Sequence, residues 1–146
     1  MTAPVFVDTN VFLYAVDRAD SKKQEVAQVW REELWKSRLG RTSFQVLHEF
    51  YANLSHKRPG SRRDARLEIR DLLAWRPIAI NSSILEQGWK LQDRYGLSFW
   101  DSLIASAAKS LACRYLLTED FHTGQDLDGV IIISPFSTDP TFLYSE

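Results

Sequence analysis

Four places in the sequence put a carboxylate where the chain changes character. Asp8 follows the apolar run Pro4-Val5-Phe6-Val7, and Glu49 falls in the second turn of a segment that opens at Phe44. Asp101 follows Ser98-Phe99-Trp100, and Glu119-Asp120 follow Tyr115-Leu116-Leu117-Thr118. Carboxylates gathered within a few ångströms repel, and some take up protons unless a cation neutralises them. A hard divalent ion such as Mg²⁺ does this with oxygen ligands, keeping several waters and using few protein groups. Held there, it can generate a hydroxide nucleophile and stabilise charge on a phosphoryl group. The sequence offers no evident protein base or nucleophile for a competing mechanism, so metal-assisted phosphodiester hydrolysis suits the inventory.

Such a site requires the acids to meet, which depends on the elements that carry them. Pro4–Val7, Tyr115–Leu117 and Val130–Ile133 are short apolar runs that read as strands buried on both faces, and Arg41–Ser43 and Pro77–Ile80 read as further short strands. Between them the spacing predicts helices: a short one from Asp8-Thr9-Asn10 to about Ala15, then Ser21–Arg38, closed by Gly40. Others run from about Phe44 to His56, from Ser61 to about Trp75, and from an Asn81 cap to Tyr95. The clearest opens at Ser98, where Trp100, Leu103, Ile104, Ala107, Ala108 and Leu111 keep helical spacing. Short apolar strands alternating with helices imply a three-layer α/β/α arrangement around a mostly parallel sheet of four to five strands. In such sheets, sites lie outside the carboxyl ends of the strands. Asp8, Glu49, Asp101 and Glu119-Asp120 all fall on that rim.

Each acid also has a plainer explanation. Asp8 can be a helix N-cap, and Ser98 to Asp101 has the spacing of a capping box. Glu49 lies off the apolar arc of its helix and can simply face solvent, while Thr118-Glu119-Asp120 can be the start of a loop. Glu86 is another acid near a helix start on the same edge. The pattern selects a rim, and leaves its members open.

Length and composition bound the rest. The 146 residues, 45% hydrophobic and 25% charged, suit a single globular domain over 1–146. The lone Cys113 excludes an internal disulfide and a cysteine-based zinc cluster, and reads as a small buried hydrophobe. No apolar run is long enough to span a bilayer, and the N-terminus lacks the pattern of a signal peptide, so the expected setting is the cytoplasm. A formal net charge of −1 does not argue for a protein that coats polyanions, although the segment from His56 to Arg66 is strongly basic. Lys57, Arg58, Arg62 and Arg63 there are candidate RNA contacts, with a solvated interhelical loop as the alternative. His48, His56 and His122 share no metal-ligand spacing.

At the acidic positions the sequence resembles a PIN-domain ribonuclease, in particular a VapC-type toxin of a bacterial toxin–antitoxin pair. The resemblance rests on Val5-Phe6-Val7-Asp8-Thr9-Asn10-Val11, Gln45-Val46-Leu47-His48-Glu49-Phe50-Tyr51, Leu97-Ser98-Phe99-Trp100-Asp101-Ser102-Leu103-Ile104 and Leu116-Leu117-Thr118-Glu119-Asp120-Phe121. These four elements, in this order, cover nearly the whole chain. The resemblance implies an acidic quartet of Asp8, Glu49, Asp101 and Asp120 that binds Mg²⁺ or Mn²⁺. Asp8 and Asp101 would be the most direct ligands, with Glu49 and Asp120 holding metal waters or a second ion, Asp120 thus counting with them as a metal residue; Asn10 and Thr118 would support by hydrogen bonding. Glu119 stands beside Asp120 and could share its role. It further implies RNA cleavage leaving a 5′-phosphate, an antitoxin partner and a homodimer.

Two other classes remain to compare. A phosphotransfer receiver would want a lysine after a late strand, and none follows Lys109; an aspartate-nucleophile phosphatase would want Asp where Asn10 stands. A catalytically silent PIN-like module that binds RNA or protein would have little reason to keep crowded acids.

Overall fold

The computed structural model describes residues 3–56 and 61–144. Strand β1 (Val5–Val7) is buried along its whole length. Three consecutive buried apolar residues need cover on both faces, which a central position in a helix-flanked sheet supplies. Strands β2 (Gly40–Arg41) and β3 (Tyr115–Leu117) pair with β1 in parallel, and β5 (Val130–Ile133) pairs in parallel with β3. Strand β4 (Asp126–Leu127) closes the edge antiparallel to β5, giving the order β2-β1-β3-β5-β4 among the described residues. Val7 is level with Leu117, and Leu117 with Ile133. The residues after them therefore leave the sheet along one line.

Six helices flank this sheet among the described residues. Helix α1 (Thr9–Val16) begins directly after β1, and α3 (Phe44–Ser55) begins behind its Ser43 cap. Helix α2 (Ser21–Ser37) is capped by Asp20, α5 (Ser82–Tyr95) by Asn81 and α6 (Phe99–Ser110) by Ser98, each side chain accepting a backbone N–H of the first turn. Helix α4 (Ser61–Leu73) packs on α3, α1 on α2, and α5 on α6. Gly96 ends α5 at φ 67°, a left-handed turn that suits glycine.

The core is built on Phe6, Phe12, Trp30 and Phe50, all fully buried. The Trp30 indole N–H donates to the carbonyls of Pro135 and Thr138, both at 3.2 Å, which ties α2 to the chain after β5. Truncating Trp30 to Ala would cost roughly 3–5 kcal/mol by the usual scale of such cavities.

Two expected strands differ. Pro77–Ile80 forms a single parallel bridge, Ser43 to Ile78, because the chain turns into α3 at Phe44 on one side and Arg76 is in a left-handed turn on the other. The second strand is Gly40–Arg41, one residue earlier than the run Arg41–Ser43, because Ser43 is used as the cap of α3. The sequence reading passed over β4 and a closing 3-10 helix, Pro140–Tyr144. In that helix Leu143 is buried and Phe142 meets Tyr115 edge to face.

Candidate active site

The line of strand ends delivers Asp8 and Thr118 side by side, since Asp8 follows Val7 and Thr118 follows Leu117. The Thr118 hydroxyl donates to Asp8 Oδ2 at 2.8 Å, and the Thr9 backbone N–H donates to Asp8 Oδ1 at 2.7 Å. Asp8 is thus both a helix cap and a buried carboxylate at the carboxyl edge of the sheet. Burial pushes its carboxyl up from 3.8 to about 7, against those two hydrogen bonds, and the charges of Asp120 and Glu49 push the same way.

Glu49 reaches the same neighbourhood from α3. The Thr9 hydroxyl donates to its Oε1 at 2.5 Å and the Gln45 amide to its Oε2 at 3.2 Å. It is therefore half-buried and held, where helical periodicity alone suggested simple exposure. Asp101 comes from the first turn of α6, where its backbone N–H donates to the Ser98 hydroxyl at 3.1 Å. Partial burial raises the Asp101 carboxyl above its usual range, and Asp120 and Glu49 add to the rise. Asp120 and Glu49 therefore act on both Asp8 and Asp101, so all four charges share one neighbourhood.

Asp120 and its neighbour Glu119 part company. The Asp120 N–H donates to Thr118 Oγ1 at 3.1 Å, while the Glu119 N–H donates to Asn10 Oδ1 at 3.2 Å. The Asn10 amide also donates to Thr118 Oγ1, at 3.0 Å, so Asn10 and Thr118 brace the turn that carries both acids. Glu119 turns away from the others. It accepts the Tyr14 hydroxyl at 2.6 Å and pairs with the Lys23 ammonium at 3.0 Å, and these contacts hold its carboxyl below the usual range. Glu86 is exposed on α5.

Among the described residues no ion pair reaches Asp8, Glu49, Asp101 or Asp120. Nor do three acids, histidines or cysteines among them converge closely enough to form a finished metal cage. The donor set is nevertheless all oxygen, crowded and without a cation of its own. That chemistry fits a small hard ion held through one or two carboxylates and otherwise hydrated.

Sequence reasoning missed four contributors. Thr9 and Gln45 hold Glu49, and Tyr14 and Lys23 hold Glu119. Gln45 lies one helical turn before Glu49, a spacing that could have flagged it; nothing local could have paired Lys23 with Glu119. Of the basic segment, Arg62 and Arg63 are exposed at the start of α4, while Lys57 and Arg58 lie outside the described residues. His48 is exposed beside Phe44, with ring centroids 6.2 Å apart.

Beside Glu49 opens an apolar groove of about 1030 Å³ that includes Phe44, Ile80, Phe99, Trp100 and Leu103. Trp100, next to Asp101, is 61% exposed.

Comparisons agree with this architecture. Among solved structures, VapBC2 from Rickettsia felis, bound to a DNA fragment from its promoter, is similar at 18% identity and a TM-score of 0.66, covering 89% of this chain and 97% of that one. Mycobacterium tuberculosis VapC20, described as a sarcin–ricin loop cleaving toxin, matches at 21% identity and a TM-score of 0.61, over 77% of this chain and 86% of its own. A toxin–antitoxin complex from Klebsiella pneumoniae matches at 18% identity and a TM-score of 0.58, over 87% and 95%. At these identities the likeness is one of fold. No curated protein matches the sequence. The family model described as PIN domain matches residues 5–123, most of the chain, and the chain belongs to the PIN-domain family.

Proposed function

We propose that this chain, as one PIN unit over 1–146, is a divalent-metal-dependent endoribonuclease and the toxin of a VapC-type toxin–antitoxin pair. The observation that carries the reading is the buried Asp8 carboxylate at the carboxyl edge of the sheet, held by Thr118 and Thr9 in a neighbourhood shared with Glu49, Asp101 and Asp120, with no ion pair to any of the four among the described residues. A buried acid displaced by desolvation and by its neighbours, at a sheet's carboxyl edge, makes that edge a functional-site candidate.

Asp8 and Asp101 would hold Mg²⁺ or Mn²⁺, with Glu49 and Asp120 flanking them. Bound there, the ion supplies charge neutralisation, an acidified water and stabilisation of the phosphoryl group. The chain supplies the positioning. Thr118 fixes the Asp8 carboxyl and, with Asn10, sets the turn of Asp120; Thr9 and Gln45 fix Glu49. Glu119, neutralised by Lys23, serves the turn and leaves the fourth acidic position to Asp120. Hydrolysis would expel the 3′-oxygen and leave a 5′-phosphate.

The partners are RNA, a cognate antitoxin and a second copy of the chain, acting in the cytoplasm. The similar structures support the antitoxin, since one is a toxin–antitoxin complex. No helix among the described residues is long and apolar enough to cross a membrane. An exposed apolar groove of this size suits self-association, and Phe44 and Trp100 are its exposed aromatics. Arg62 and Arg63 are offered as RNA contacts, together with Lys57 and Arg58.

The deciding assay is cleavage of RNA with Mg²⁺, with Mn²⁺ and with chelator. Cleavage that needs an ion and disappears in folded Asp8→Asn and Asp101→Asn proteins supports the reading. Undiminished cleavage by folded Asp8→Asn overturns it.

A further inference from the structure

The opposite edge of the sheet carries a different cluster. Helix α2 ends at Arg38 and α4 just before Arg76, both residues in the left-handed region at φ 61° and 56°. These two reversals, together with Gly40 and Arg41 of β2 and with Leu111 after α6, enclose a cavity of about 580 Å³ lined also by Leu34, Trp35, Ala74 and Trp75. Its charged lining is Arg38, Arg41 and Arg76, and no carboxylate is among the lining residues.

The three arginines are not equivalent. Arg41 is spent on the backbone, donating to the carbonyls of Arg38 at 2.8 Å and Gly40 at 3.0 Å. Arg38 and Arg76 are exposed and, among the described residues, form no ion pair. Three helices end here, so part of the positive charge answers the partial negative charge of helix C-termini. That accounts for arginine at the helix ends, and leaves the aromatic wall beside them unexplained.

The wall is a built feature. A side-chain carbon on Gly40 would lie 2.2 Å from the Trp75 ring, so the glycine is what lets this indole lie against the strand. Trp75 is held on another side by Phe12, edge to face at 5.4 Å. Trp35, 39% exposed, stacks on Trp75 at 6.4 Å with an angle of 23°, and the Arg38 guanidinium lies 4.0 Å from the Trp35 ring centre. Guanidinium groups without carboxylate partners, one of them lying over an indole that is itself backed by Trp75, match a phosphodiester backbone: the charges meet the phosphates, and the indole pair holds Arg38 in place.

We infer that Arg38 and Arg76, with Trp35 positioning Arg38, form a second nucleic-acid contact, which takes the phosphodiester backbone of a single strand at the sheet edge opposite the acidic cluster. This contact needs no metal and no cleavage, so it can fail while the nuclease reading stands, and the reverse.

The test is fluorescence anisotropy of the full chain with a labelled single-stranded RNA of about twenty nucleotides, in chelator, over a range of salt. Each phosphate neutralised on a single strand contributes about 0.7 to the slope of log affinity against log salt. Arg38→Gln with Arg76→Gln should lower that slope by about 1.4 and weaken binding roughly 25-fold near 0.1 M salt. Arg38→Lys with Arg76→Lys should keep the slope, because the charge remains. Trp35→Ala should weaken binding without changing the slope. Should the double glutamine variant not fold, Arg76→Gln alone is expected to lower the slope by about 0.7. The same sequence as DNA, and adenosine monophosphate, form parallel arms. Loss on either polynucleotide supports the contact, and RNA against DNA gives its preference. A slope unchanged by the glutamine variants assigns the arginines to helix ends alone and overturns it. Loss confined to the mononucleotide makes the cavity a free-nucleotide site and overturns it equally.

Discussion

The carboxyl and amino edges of the sheet concentrate opposite charge, although the chain as a whole is almost neutral. At the carboxyl edge, strand ends, the second turn of α3 and the first turn of α6 bring together Asp8, Glu49, Asp101 and Asp120. At the amino edge, the ends of α2, α4 and α6 surround Arg38, Arg41 and Arg76. Helix dipoles favour this sorting at both edges. What separates the edges is desolvation. Asp8 is buried and its carboxyl displaced to about 7, whereas Arg38 and Arg76 are exposed to water. The acidic edge stores electrostatic strain that an added cation would relieve. The basic edge stores almost none, and its demanding feature is packing around Trp75.

The sharpest way to break this contrast is to remove charge at the strained edge. Asp101→Asn and Asp8→Asn should each lower RNA cleavage by about two orders of magnitude or more, the scale of a lost metal ligand. Both should stay folded by circular dichroism. Asp8→Asn should also gain or keep thermal stability, since a neutral amide is easier to bury than a carboxylate. A large loss of stability in Asp8→Asn would mean that the buried acid is structural.

Packing should dominate at the other edge. Gly40→Ala would drive a methyl group into the Trp75 ring, which is braced by Phe12 and Trp35. The expected cost is about 1–3 kcal/mol, read as a lower denaturation midpoint at unchanged slope. RNA cleavage per folded molecule should be preserved. Equal losses of activity and stability would show that the two edges are coupled through the short strands.

Acidity gives a third comparison. The folded Asp8 carboxyl titrates near 7 against 3.8 when unfolded, so the native state holds its proton more tightly. Stability from this group is complete below about pH 4 and is lost as pH rises towards and through 7, by a few kcal/mol at most. Asp101 shifts in the same direction. Melting curves from pH 5 to 8 in chelator should therefore decline for the native chain and flatten in Asp8→Asn. Added Mg²⁺ or Mn²⁺ should raise the midpoint more at pH 8 than at pH 5. An ion effect independent of pH would separate its binding from Asp8.

Much of this architecture is legible in the sequence, for identifiable reasons. Val5–Val7 and the spacing from Trp100 to Leu111 announce a buried strand and an amphipathic helix, because burial imposes a period that survives without context. The rim of acids follows from topology, since strands parallel to β1 must end together. Short edges escape. Strand β4 has two residues, too few to alternate, although Asp128-Gly129, at φ 51° and 101°, is a strong hairpin turn. The different contacts of Glu119 and Asp120 escape for a different reason. They are decided by Lys23, 96 residues away in the chain, and by Tyr14 on α1.

That pair of neighbours gives the finest test, because it compares two acids joined by one peptide bond. Glu119 is held below its usual range chiefly by the Tyr14 hydroxyl and then by Lys23. Its contribution to stability is therefore present above the unfolded carboxylate range and fades as pH falls through the folded value. Solvent reaches the pair, whose side chains are about a third exposed, so Glu119→Gln should lower the melting temperature only slightly. Cleavage should fall by less than about tenfold, through looser support of the turn that carries Asp120. Asp120→Asn should fall much further at similar stability. Removing Lys23 as well, by Lys23→Met in the Glu119→Gln background, should add only a little, because the ammonium would by then have lost its carboxylate and kept the Tyr14 hydroxyl and the Tyr14 and Phe136 rings. If Glu119→Gln instead matched Asp120→Asn in lost cleavage, Glu119 would belong among the metal-facing acids, and the Lys23 contact would have to open before the site could work.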